Sequence, residues 1–91
     1  MSEKPAGTVK LLYFAWVRER IGHGEETLVL PASVGTVGEL MTWLETRGPG
    51  YQEAFKRPEI IRAAIDRTHK RADALVAGAR EIAFFPPVTG G

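Results

Sequence analysis

The residues with the most distinctive chemistry close the sequence: Phe84-Phe85-Pro86-Pro87-Val88-Thr89-Gly90-Gly91. Pro86 and Pro87 donate no backbone hydrogen bond and hold the chain extended. Gly90 and Gly91 carry no side chain, so they fit a channel too narrow for any other residue. At ~3.3 Å per extended residue, the stretch after Phe85 projects the Gly91 carboxyl roughly 20 Å from the preceding strand. A carboxylate is a poor electrophile, because its charge repels nucleophiles and hydroxide leaves badly. Converted to an acyl-adenylate it gains a good leaving group, and a sulfur nucleophile displacing AMP yields a thiocarboxylate. A frayed end is the usual reading of a terminal Gly-Gly. Here a stiff Pro-Pro spacer and an apolar strand precede it, and they favour a tail built for insertion.

Other candidate chemistry is sparse. The chain has no cysteine, which excludes disulfides, thiolate metal sites and a Cys nucleophile. His23 and His69 stand far apart, neither has a partner at metal-ligand spacing, and both read as solvated loop residues. Ser2 and Ser33 lack a nucleophile-elbow context. No Walker-type glycine loop is present. Glu25-Glu26 reads as a solvated strand entrance, without the burial that an acid/base pair requires. Arg18 with Arg20, and His69-Lys70-Arg71, read as a charged rim that docks an acidic partner.

The elements that would position the tail follow from periodicity. Thr8 to Trp16 is apolar, aromatic or β-branched apart from Lys10, and reads as a strand with Val9, Leu11 and Tyr13 on its buried face. Val17 to Gly22 reads as a helical turn or loop, and Glu26 to Leu30 as a second strand, antiparallel to the first. Thr36 and Glu39 have capping-box spacing, and Val37, Leu40, Met41 and Leu44 fall on one helical face. This main helix, Val37 to Arg47, is expected to end at Gly48-Pro49-Gly50 with Gly48 as a left-handed cap. Tyr51 to Lys56 reads as a further helical turn and Ile60 to Ile65 as strand three. Asp66-Arg67-Thr68 forms a turn, His69 to Asp73 a short edge strand, and Ala74 to Arg80 a turn or short helix. Glu81 to Phe85 is the last strand, stopped by Pro86. Alternation there turns Ile82 and Phe84 inward and Phe85 outward. Phe14 sits either beside Phe85 in an apolar docking patch or in the core.

This order implies an α+β layer, a mixed sheet of four or five strands with one main helix across it. Residues 1–7 read as a flexible leader, 8–85 as the domain and 86–91 as the extended tail. Twelve basic and eleven acidic residues give a net charge of +1, which argues against a nucleic-acid or membrane partner. No signal-peptide core or spanning apolar run is seen, so the expected compartment is the cytoplasm.

The chain resembles the small, sulfur-carrying subunits of molybdopterin synthase, which are ubiquitin-like β-grasp proteins. The resemblance rests on Leu11-Leu12-Tyr13-Phe14-Ala15 with Val17-Arg18-Glu19, on the capped helix from Val37, and above all on Ala83 through Gly91. After strand three the chain departs from the family's usual pattern of Asn, polar residues and an apolar pair, running instead Asp66-Arg67-Thr68-His69-Lys70-Arg71. The resemblance implies that Gly91 is adenylated by a partner related to ubiquitin-activating enzymes, which uses the ATP, so that this chain binds no cofactor of its own. It further implies that the Gly91 thiocarboxylate, carried on the narrow Gly90, donates sulfur to cyclic pyranopterin monophosphate inside a large subunit, in a heterotetramer. Phe85, Pro86, Pro87, Val88, Thr89, Phe14 and Arg18 are the partner-binding candidates. A carrier for thiamine synthesis or tRNA thiolation, a protein modifier, and a plain interaction module are the alternatives.

Overall fold

The computed structural model describes residues 8–87. The leader and Val88, Thr89, Gly90 and Gly91 lie outside the described residues. Five strands form one mixed sheet: β1 (Thr8–Tyr13), β2 (Glu25–Val29), β3 (Arg62–Ile65), β4 (Thr68–Lys70) and β5 (Glu81–Phe85), in the order β2-β1-β5-β3-β4. β1 and β5 run parallel at the centre, with Leu11 opposite Ile82 and Tyr13 opposite Phe84. The remaining pairs are antiparallel. Helices α1 (Ala15–Ile21), α2 (Val37–Glu45) and α3 (Pro49–Phe55) connect the strands. This is the β-grasp arrangement that the sequence implies.

The core forms where alternating strand residues meet the helical stripe. Val9, Leu11 and Tyr13 of β1 and Ile82 and Phe84 of β5 are buried together with Val37, Leu40, Met41 and Leu44 of α2. Phe55 of α3 and Val17 of α1 complete it. The α2 start matches its signature: Thr36 Oγ1 accepts from the Glu39 amide, and the Glu39 carboxylate accepts from the Thr36 amide.

Several boundaries differ from the sequence expectation. β1 stops at Tyr13, because Ala15 takes φ +54° and turns the chain into α1, so that Trp16 is helical rather than extended. Gly48 does not cap α2, which ends on Thr46. It is the N-cap of α3, with Pro49 in the first turn, where a missing N–H leaves no bond unmade. Pro58–Ile60 forms a 3-10 turn, which delays β3 to Arg62, while the segment after β4 takes the turn of its two expected forms. The β3–β4 hairpin turns on Asp66 and Arg67, both at positive φ, 49° and 73°. This is the handedness that two-residue hairpins require.

Candidate functional site

β5 is the element that launches the tail, and its root is firmly held. Phe84 is fully buried and stacks on Tyr13, with centroids 6.4 Å apart and planes at 14°, and meets Phe55 edge-on at 5.2 Å. Its carbonyl accepts from the Phe14 amide at 3.1 Å. At the other end of β5, Asp66 Oδ1 accepts from the Arg80 and Glu81 amides at 3.1 and 3.0 Å, fastening the hairpin turn to the strand entrance.

The candidate residues surround this root on two sides. Phe14 is 48% exposed at the start of α1. With Arg18 it lines a cleft of about 640 Å³ that also includes Lys10, Leu12 and His23. Phe85 lies opposite Arg62 of β3, and its ring packs on His69 of β4 at 5.2 Å. Phe85 is therefore half-buried rather than freely exposed, and His69, in the expected edge strand and itself exposed, covers part of it. Among the described residues no ring-to-ring pair joins Phe14 to Phe85. Pro86 and Pro87 continue from Phe85, both partly covered.

Beneath the root lies a polar network that sequence reading passed over. Glu26 accepts from the Tyr51 phenol at 2.6 Å, the Tyr13 phenol at 2.7 Å and Arg47 Nη1 at 3.0 Å, and its carboxylate lies 3.3 Å from His23 Nε2. Burial alone would push the carboxyl up. The bonds from Tyr51, Tyr13, Arg47 and His23 outweigh it and bring Glu26 down to about 2. Burial, followed by the bond to Glu26, raises Tyr51 to about 12. Glu26 is thus a buried-side anchor, not a solvated strand entrance. Its phase with Leu28 in β2 and with Leu30 just beyond it was the available signal, since that alternation points all three to the helical side. Among the described residues no group of His, Asp and Glu is arranged to hold a metal ion, and no helix is long and apolar enough to cross a membrane.

A half-exposed aromatic, an arginine and a cationic edge thus surround the base of the outgoing strand. The chain belongs to the ThiS family, whose model matches residues 11–91. It is 36% identical to the molybdopterin synthase sulfur carrier subunit of Mycosarcoma maydis, over 92% of this chain and 94% of that one. Identity is 32% to the subunit of the same name from Escherichia coli K12, over 91% and 99% of the two chains. The human subunit is 34% identical over 96% and 98%. Among solved structures, the putative molybdopterin converting factor subunit 1 of Pyrococcus furiosus superposes with a TM-score of 0.69 at 26% identity, covering 89% of this chain and 98% of that one. SAMP1 from Haloferax volcanii shares the fold, with a TM-score of 0.67 at 22% identity over 93% and 100%.

Proposed function

We propose that this chain is the sulfur-carrier subunit of a molybdopterin synthase and that the carboxyl carbon of Gly91 is its working atom. The observation that carries this reading is the near full-length similarity to subunits of that name in a fungus, a bacterium and human, in a family match that runs to Gly91. An adenylating partner joins the carboxylate oxygen to the α-phosphorus of ATP and releases pyrophosphate. A sulfide sulfur then attacks the acyl carbon, the bond to AMP breaks with AMP as the leaving group, and a thiocarboxylate remains. Within the large subunit that sulfur passes to cyclic pyranopterin monophosphate.

The described residues support a carrier rather than a catalyst. The strongly shifted carboxyl, Glu26, is ionised and fully engaged at neutral pH, so it exchanges no proton with a substrate. Acid and base groups then belong to the large subunit. Phe14, Arg18, Phe85, Pro86 and Pro87 hold the partner, and Val88 to Gly91 enter it.

Intact mass spectrometry after incubation with the activating partner, ATP and a sulfide source tests the reading. One oxygen is replaced by sulfur, and fragmentation places it on Gly91. Sulfur found elsewhere, or equal synthase turnover by the unmodified chain, overturns the proposal.

A further inference from the structure

The outer edge of the sheet beyond β3 combines three features. First, β4 is an edge strand, and all three of its residues are exposed. The two-residue turn makes Ile65 and Thr68 a hydrogen-bonded pair, so His69, opposite Ala64, directs its N–H and C=O away from β3 toward the open side. Second, a cleft of about 530 Å³ opens beside this edge, with Arg62, Lys70 and Arg71 at its rim over a floor of Val37, Met41 and Ile61. Third, the positive charge here is unneutralised. Among the described residues Arg62, Arg67, Lys70 and Arg71 make no salt bridge, whereas Lys10, Arg47, Lys56 and Arg57 each have a carboxylate partner. Of the nearby acids Glu59 is held by Arg57 and Asp66 by the Arg80 and Glu81 amides, while Asp73, exposed two residues past Arg71, makes no salt bridge among the described residues.

Lysine on an edge strand is a common device against unwanted sheet pairing. That device needs neither an apolar floor nor several further cations around it. We propose that the open edge of β4 docks an extended acidic segment of a protein partner, which pairs with the His69 backbone as an added strand. Its apolar side chains, on the face shared by Ala63 and Lys70, cover the cleft floor, and its carboxylates, alternating to the other face, meet Arg62 and Arg71. Arg62 stands opposite Phe85, so one of the cations that the carboxylates reach lies next to the root of the tail. A nucleic acid would meet the same charge, but it has no use for the strand edge, and the chain's net charge of +1 gives it no wider field.

The test uses the full chain and a blocked peptide of alternating Glu and Val, with hydrogen exchange followed amide by amide. The peptide slows exchange at His69, binds more weakly as salt rises, and loses about tenfold in affinity to an Arg62→Ala/Arg71→Ala variant whose melting temperature is unchanged. A peptide with Gln in place of Glu binds as weakly as the variant. Unchanged His69 exchange, equal binding by the variant, or tighter binding of a single-stranded RNA of equal charge overturns the proposal. The measurement involves no sulfur transfer, so failure here leaves the carrier reading standing.

Discussion

The phenol of Tyr13 on β1 donates to the Glu26 carboxylate on β2 across 2.7 Å, while its ring stacks on Phe84 of β5. One side chain, 1% exposed, thereby links the edge of the sheet to the strand that leads into the tail. The same carboxylate holds Arg47 just after α2 and Tyr51 in α3, so the helical layer and the sheet share a single ionic anchor.

Removing that anchor destabilises the fold in a pH-dependent way. Glu26→Ala lowers unfolding free energy by roughly 3 kcal/mol at neutral pH, and Glu26→Gln by less. The folded-state carboxyl sits at about 2 against an ordinary 4.5. Its contribution is therefore complete above about 4.5 and is lost as pH falls from there toward 2. Urea titrations of wild type and variant across that window should converge in acid; a constant difference would show that packing, not charge, is responsible.

Gly50 is required by close approach. A Cβ there would stand 2.5 Å from the Arg20 carbonyl oxygen and 3.4 Å from the Ile21 Cα, both rigid backbone, where α1 meets α3. Gly50→Ala should cost about 1–3 kcal/mol in denaturant melts. Gly22 has open space around it but φ +104°, so Gly22→Ala should cost about 1 kcal/mol from backbone strain alone.

Ala15 holds a left-handed backbone at φ +54° without glycine's freedom. Ala15→Gly relieves about 1 kcal/mol or more of strain and returns part of it as chain entropy, so a net gain of about 0.5 kcal/mol is expected. A fall in melting temperature would mean that the methyl group makes packing contacts outweighing the strain.

Phe14 and Phe85 separate stability from docking. Phe14→Ala, at a half-exposed site, should shift unfolding free energy by under about 0.5 kcal/mol while weakening capture by the large synthase subunit. Phe85→Ala also removes the half-buried ring on which His69 packs and should cost about 1–2 kcal/mol. Pull-down and melting curves read the two effects independently.

For the tail, one residue appended after Gly91 moves the carboxyl by more than ~3 Å. A misplacement of ~1 Å already lowers a positioned reaction on the order of a hundredfold. Gly90→Val should obstruct entry in the same assay, with melting unchanged in both. Full adenylation and transfer by the extended chain, its extra residue retained, would remove the terminal carboxyl from consideration.

Local signals carried much of the architecture. β5 was readable because alternation and Pro86 agree, and α2 because its capping box precedes a regular apolar stripe. Trp16 was misread, since a run of aromatic residues resembles a strand when one residue's left-handed turn decides otherwise. Gly48-Pro49 was misread because the same dipeptide that stops one helix can start the next. The Glu26 network was invisible for a different reason: its donors Tyr13, Arg47 and Tyr51 lie 13, 21 and 25 residues away in sequence. Only the closed fold brings them together, as it does the ring of His69 and the ring of Phe85.

The parallel pairing of β1 with β5 places the first and last strands side by side at the centre of the sheet. During synthesis β1 emerges early and waits, with one side unpaired, until β5 leaves the ribosome. A chain interrupted anywhere before Glu81 lacks the central strand, leaving β1 and β3 without their shared neighbour. Such long-range closure slows folding, because the loop must form before the contacts reward it. A product that stops short of β5 lacks both the central strand and Phe85, so it presents neither the closed sheet nor the surface around that residue.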